Sequence, residues 1–176
     1  MLLRIRPGEK YALWLMPGGE VRERLARVLQ DLSARWGGPE FAPHVTLLGG
    51  IAGPLGEIVR KSRSLADQIR PFTIRLENID YLDEYFRCLF VRVAAAAPIR
   101  VAHRKAKSLF DHRSDSAFMP HLSLLYGDFS RSLKERLVAE LGGRMDLGFR
   151  VRGLHLYSTH GDPSRWRRMG NFGLKW

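Results

Sequence analysis

One eight-residue phrase occurs twice in this chain, and it constrains the fold more than any other feature. Residues 41–48 read Phe-Ala-Pro-His-Val-Thr-Leu-Leu, and residues 118–125 read Phe-Met-Pro-His-Leu-Ser-Leu-Leu. The two histidines, His44 and His121, stand 77 residues apart. That is far beyond a solenoid period, so one motif serves two halves of a fold. Side chains alternate along a strand, which places His44 and Thr46 on one face and Val45 and Leu47 on the other. His121 and Ser123 separate from Leu122 and Leu124 in the same way. The proline before each histidine lacks an N–H and suits the start of a strand. Each copy therefore offers an imidazole beside a hydroxyl, held in place by an apolar face. Two such strands brought face to face would set two imidazoles and two hydroxyls around one cleft, a site for an anion with four oxygens.

That set of groups points to phosphoryl chemistry. In-line displacement at phosphorus needs one group to take a proton from the nucleophile and another to give one to the leaving oxygen. Histidine titrates near neutrality and can fill either role. The hydroxyls of Thr46 and Ser123 can donate to non-bridging oxygens, where charge grows in the transition state. The scheme needs no metal and no cofactor. His103, His112, His155 and His160 show no ligand spacing and read as surface residues.

The rest of the chain alternates irregularly between strand and helix patterns. Tyr11 to Met16 is an apolar strand closed by Pro17-Gly18-Gly19. Val21, Leu25, Val28, Leu29 and Leu32 recur at helical steps, and Gly37-Gly38-Pro39 stops that helix. A strand over His44 to Leu48 precedes Gly49-Gly50, and a helix follows over Leu55 to Ile69. Strands are expected at Phe72 to Ile79 and Phe86 to Ala94. A helix runs from Pro98 through Phe110, a polar loop spans Asp111 to Ser116, and a strand covers His121 to Leu125. Arg131 to Leu141 reads as a helix. The tail gives strands at Leu147 to Tyr157 and Arg165 to Trp176, joined by Gly161-Asp162-Pro163. Adjacent strands without an intervening helix disfavour a doubly wound parallel sheet and favour an α+β fold with antiparallel pairing. No linker separates independent domains, so residues 1–176 are expected to form one domain.

Composition narrows the function classes. The chain has 176 residues, 45% of them hydrophobic and 27% charged, the balance of a globular protein. No apolar run approaches the roughly 18 residues needed to cross a bilayer. The first residues lack the apolar core of a secretory signal. Cys88 is the only cysteine, which rules out an intramolecular disulfide and a cysteine-based zinc cluster. A reducing compartment, the cytosol, is the expected location. The 29 Lys and Arg against 18 Asp and Glu give a net charge of +11. The arginines, among them Arg22, Arg24, Arg27, Arg60, Arg63, Arg92 and Arg104, are scattered. The excess is open to two readings, solvated surface or attraction of an anionic partner.

The two His-x-Thr/Ser-hydrophobic motifs resemble those of the two-histidine phosphoesterase superfamily. The stretches Trp36 to Thr46 and Phe118 to Gly127 look like its cyclic phosphodiesterase branch, best known from plants and fungi. The resemblance extends to Tyr11–Pro17, Phe86-Arg87-Cys88 and the Asp162–Trp166 segment. It implies a bilobal α+β fold, two antiparallel sheets with outer helices around a central cleft. The activity it implies is metal-independent hydrolysis of ADP-ribose 1″,2″-cyclic phosphate and nucleoside 2′,3′-cyclic phosphates. His44 and His121 would be acid and base, with His121 as base toward water, and Thr46 and Ser123 would bind phosphate. Tyr126 would touch the phosphate or sugar, while Phe86 and Trp166 would line the nucleoside side. Plant members carry several cysteines, some paired, whereas this chain has Cys88 alone. The expected partner is a small anionic nucleotide bound by a monomer, with no membrane. The alternatives are an enzyme of RNA ends, acting on terminal 2′,3′-cyclic phosphates or 2′,5′ linkages, and an inactive nucleotide- or RNA-binding module.

Overall fold

The computed structural model describes residues 10–113 and 117–175. The first nine residues, Ser114 to Ser116 of the expected polar loop, and Trp176 lie outside the described residues. Among the described residues, eight strands form one antiparallel sheet. They are β1 (Tyr11–Leu15), β2 (Val45–Ile51), β3 (Phe72–Asp80), β4 (Leu89–Val93), β5 (His121–Leu125), β6 (Gly148–Val151), β7 (Gly153–Ser158) and β8 (Arg167–Gly173). The helices are α1 (Gly19–Trp36), α2 (Leu55–Ala66), α3 (Ala97–Leu109) and α4 (Arg131–Glu140). This is the α+β architecture the sequence implies.

The strand order is β6-β3-β4-β5-β2-β1-β7-β8. It splits into two four-stranded halves that meet where β2 and β5 pair at a single position, Val45 opposite Leu122. Exchanging β2 with β5, β1 with β4, β7 with β3 and β8 with β6 returns the same order, which is the pseudo-symmetry signalled by the repeated phrase. The helices obey it too. α1 follows β1 yet packs against β5 in the other half, and α3 follows β4 yet packs against β2. α1 and α3 thus cross the seam and tie the halves together.

Burial follows the alternation expected of half-covered strands. In β3, Phe72, Ile74 and Leu76 are buried while Thr73 and Arg75 are exposed. Leu13, Leu47, Leu89, Val91, Leu122 and Leu124 join Leu25, Leu29 and Leu32 of α1 in one apolar cluster. α3 begins with Pro98 near its start, where a missing N–H costs nothing, and buries Ile99, Ala102 and Ala106. The Ser130 hydroxyl caps α4 by accepting from the Leu133 N–H.

Several boundaries differ from the sequence reading, each for a physical reason. β2 runs through Gly49 and Gly50 to Ile51, because Ile51 still pairs with Tyr11. The expected strand at Phe86 starts only at Leu89. Tyr85–Arg87 is a 3-10 turn that leaves Phe86 51% exposed. The run Leu147 to Tyr157 is two strands, since β6 pairs with β3 and β7 pairs with β1, in opposite halves. Of the four histidines read as surface residues, only His160 is well exposed; His103, His112 and His155 are half-buried. The His103 ring stacks on Phe118 at 3.8 Å, and its Nδ1 meets the Leu47 carbonyl at 2.8 Å.

Candidate active site

The seam assembles the site. With Val45 opposite Leu122 in an antiparallel pair, His44 lies across from Ser123 and Thr46 across from His121. All four point to the face opposite the apolar cluster. The two motif strands therefore lie side by side in the sheet, where the sequence reading set them face to face. The result is the expected cluster of two imidazoles and two hydroxyls.

Matching contacts orient the two imidazoles. His44 Nδ1 lies 2.7 Å from the Ala42 carbonyl, and His121 Nδ1 lies 2.9 Å from the Met119 carbonyl. A carbonyl only accepts, so each Nδ1 carries the proton and each Nε2 is left as the reactive nitrogen. Each ring also rests on an aromatic side chain from the next strand. Trp14 of β1 stacks on His44 at 3.5 Å and 12°. Phe90 of β4 meets His121 edge-on at 5.2 Å. Tyr157 covers the other face of Trp14 at 3.9 Å.

Burial sets the electrostatics. Loss of water pushes the His44 pKa down to about 4, against the opposing pull of the Ala42 carbonyl and with a small contribution from His121. His121 is lowered too, again chiefly by burial. Burial thus favours the neutral form of both imidazoles. Burial raises the Tyr126 phenol well above its ordinary range, although its hydrogen bond with Ser123 opposes this. The Cys88 thiol is pushed up to about 11 by burial and donates to the Leu125 carbonyl, so it is inert at neutral pH.

A cavity of about 470 Å³ opens over these groups, and all seven residues named from the sequence line it: His44, Thr46, Phe86, His121, Ser123, Tyr126 and Trp166. Phe86 stands 5.2 Å from Tyr126 and 6.1 Å from Trp166 between ring centroids. Phe86 and Trp166 form an aromatic mouth, with the buried Tyr126 ring behind them. The Ser123 hydroxyl donates to the Phe86 carbonyl at 3.1 Å, which links the mouth to the floor. Gly38 holds a left-handed φ of +99°, and a Cβ there would stand 2.6 Å from the Tyr126 carbonyl. The glycine pair that ends α1 thus lets the 37–43 loop close against the Tyr126 backbone.

Trp14 and Arg87 also line the cavity, and neither was given a role from the sequence. Trp14 lay inside an apolar strand, and alternation alone would have turned it to the face opposite Leu13. Arg87 stands beside Phe86 at the cavity wall, a cation within the cleft, paired with Glu84 at 2.6 Å. The loop bearing both is anchored by Lys134. This buried α4 side chain donates to the Leu82 carbonyl at 3.2 Å and forms an ion pair with Asp83. Among the described residues no three His, Cys, Asp or Glu side chains converge as metal ligands.

Two histidines on paired strands, each backed by an aromatic ring and tied at Nδ1 to its own backbone, define a class that comparison makes explicit. The family model of the 2′-5′ RNA ligase superfamily matches residues 22–163, and the chain belongs to that superfamily, the two-histidine phosphoesterases. A relative named cyclic phosphodiesterase, from Arabidopsis thaliana, is 26% identical over 153 residues, covering 85% of this chain and 84% of that protein. A solved structure from Thermus thermophilus matches with a TM-score of 0.69 at 19% identity, over 94% of this chain and 97% of its own. E. coli LigT in its apo form matches at 0.66 and 17%, over 96% and 98%. At such identities the two solved structures bear on the fold alone.

Proposed function

We propose that the chain is a metal-independent cyclic phosphodiesterase, opening nucleoside 2′,3′-cyclic phosphates to 2′-phosphates and ADP-ribose 1″,2″-cyclic phosphate to the 1″-phosphate. The observation that carries this is the Val45–Leu122 pairing, which sets His44, Thr46, His121 and Ser123 on one face of the seam. In the proposed step water attacks phosphorus opposite the ring oxygen that leaves. One Nε2 takes a proton from water as the new P–O bond forms. The other imidazole, protonated, gives its proton to the leaving oxygen as the old P–O bond breaks. The pair ends with its proton moved from one histidine to the other.

Thr46 and Arg87 face the equatorial oxygens, where charge develops, and the Ser123 hydroxyl joins them by turning its proton from the Phe86 carbonyl to the phosphate. Phe86 and Trp166 take the nucleoside, and Tyr126 packs under the phosphate or sugar. His121 is assigned as base toward water and His44 as acid. Because burial favours neutral His44, its proton must be held by the negative charge of the bound substrate. The protein is proposed to work as a cytosolic monomer. A second reading, an enzyme of RNA ends, draws on the net charge of +11.

Phosphorus NMR of a 2′,3′-cyclic mononucleotide with the protein and EDTA tests the proposal. Steady conversion to the 2′-phosphate is expected. Loss of turnover with chelator, restored by Zn²⁺ or Mn²⁺, would overturn it. His44→Ala and His121→Ala should each lower kcat by about 10²-fold or more. A substrate whose leaving group needs no proton should rescue His44→Ala but leave His121→Ala slow, and the opposite result would reverse the two roles.

A further inference from the structure

The two halves of the molecule differ in what stands behind their histidines. Trp14 lies opposite Thr46 in the β1–β2 ladder, and Phe90 lies opposite Ser123 in the β4–β5 ladder, so the two backing rings occupy equivalent places. Two residues further along each strand the equivalence ends. The His44 half has Met16 there, a neutral side chain, whereas the His121 half has Arg92, which stands opposite His121 in the ladder.

The contacts of Arg92 converge on the supports of His121. Its Nε donates to Asp80 Oδ2 at 2.7 Å, and its Nη2 lies 2.5 Å from the same oxygen. Asp80 is itself held, because its Oδ1 accepts from the Tyr81 N–H at 2.8 Å. The third nitrogen, Nη1, donates to Met119 Sδ at 3.4 Å, and the guanidinium lies 5.7 Å from the centre of the Phe90 ring. Met119 and Phe90 are the residues that orient the His121 imidazole, one through its carbonyl and the other edge-on. Arg92 therefore touches both supports of the ring, although it does not line the catalytic cavity. A half-exposed ion pair adds little to stability, so stability alone does not account for this arrangement.

The same geometry places charge behind the ring. Arg87 and Glu84 of the loop before β4 act on His121, as does Arg92 of β4. His44 faces it across the seam, and Asp80 of β3 stands beyond Arg92. A nearby cation favours the neutral imidazole, and a nearby carboxylate favours the protonated one.

We propose that Arg92 is a positioning residue for His121: it clamps the ring from behind through Phe90 and Met119 and, as a cation steadied by Asp80, keeps the imidazole in the form that accepts a proton. The proposal rests on the phosphodiesterase reading with His121 as base, and adds the residue that prepares that base. Arg92 itself touches neither substrate nor reacting atoms.

The test compares Arg92→Met, Asp80→Asn and the double variant with the unaltered protein. The first readout is the His121 titration by NMR of the ring protons, assigned with His121→Asn, which needs no turnover. Arg92→Met removes the cation and leaves the Asp80 carboxylate, so the titration should move up by about half a pH unit or more. Asp80→Asn keeps the side-chain size and leaves the cation uncompensated, so it should move down. The double variant should titrate close to the unaltered protein. Both single variants break the same ion pair, so a merely structural role would shift them in the same direction or not at all, and either result would overturn the proposal. The second readout is turnover of a 2′,3′-cyclic mononucleotide. Arg92→Met and the double variant should lower kcat by about tenfold or more and leave KM within about twofold, because the clamp is lost in both. An unchanged kcat in the double variant would remove the clamp, and a rise in KM without loss of kcat would place Arg92 against the substrate; either overturns the proposal. Titrations that move as stated in a protein without turnover would uphold the coupling of Arg92 to His121 and refute the phosphodiesterase reading.

Discussion

Replacing Trp14 with leucine should expose the His44 ring, and the size of the effect follows from the stack. The indole lies 3.5 Å from the imidazole, nearly parallel, and is itself 2% exposed. Loss of water is the largest cause of the low His44 pKa of about 4. A fully solvated imidazole titrates near 6.5, and the gap is worth about 3 kcal/mol at about 1.4 kcal/mol per tenfold change. Leucine covers only part of the ring, so the pKa in Trp14→Leu should rise to about 5 to 6. NMR titration of the histidine ring protons, assigned with His44→Asn, reads this directly.

Stability gives a second readout of the same effect. The folded His44 pKa lies below the unfolded one, so the unfolded chain binds more protons between about pH 6.5 and 4. Stability is therefore full above that window and falls as pH drops through it, by up to about 3 kcal/mol from this residue. His103, His121 and His155 are also lowered and act in the same direction. The difference between the unaltered protein and His44→Asn isolates one residue, and Trp14→Leu should show a smaller fall. At neutral pH, Trp14→Leu should still cost about 2 to 4 kcal/mol for the lost buried ring. A His44 titration that stays near 4 in Trp14→Leu would refute the reasoning and place the desolvation in Phe41 and the 42–44 backbone.

The bell-shaped dependence of kcat/KM on pH should peak below 6.5, because both imidazoles are lowered in the free protein, and the kcat profile should lie at higher pH, because a bound phosphate anion raises both; coincident profiles would argue against phosphate contact. The two profiles report the histidines as a pair and not singly. Thr46→Ala and Ser123→Ala should each cost about 1 to 3 kcal/mol of transition-state stabilisation in kcat/KM, and an unchanged rate in either would remove that hydroxyl from the phosphate site. Lys134→Met should lose about 1.5 to 3 kcal/mol in chemical denaturation and raise KM more than it lowers kcat, since the loop carrying Phe86 and Arg87 loses its anchor; an unchanged KM would show that the loop holds its shape alone.

The repeated phrase made the histidine pair readable because both halves of the site lie within a few residues of it. Period-two burial then found β2 and β5, and helical spacing found α1, α3 and α4 nearly to the residue. Strand neighbours were another matter. Nothing local to Val45 or Leu122 says that they pair, so the side-by-side seam could not be told from two facing strands. The break at Arg152 was hidden for the same reason: the apolar pattern from Leu147 to Tyr157 runs on while its partner changes from β3 to β1. Trp14 reads as one more core residue until β2 is known to lie beside β1.

The order of the strands along the chain also governs the order in which the two histidines can be secured. β3, β4, β5 and β6 occupy one unbroken stretch, residues 72–151, so the half that holds His121 can complete its pairing from local chain. The half that holds His44 is made from both ends: β1 and β2 come first, and they wait for β7 and β8. Its closure is marked where the Thr159 N–H donates to the Lys10 carbonyl across nearly the whole length of the chain. Long-range closure of that kind is slow and carries the larger entropy cost. On a growing chain one imidazole is therefore seated early, while Trp14, the wall behind the other, gains its Tyr157 support only after β7 has been made. Synthesis stopped short of residue 153 would leave β1 with an open outer edge and the His44 side of the cleft unsupported.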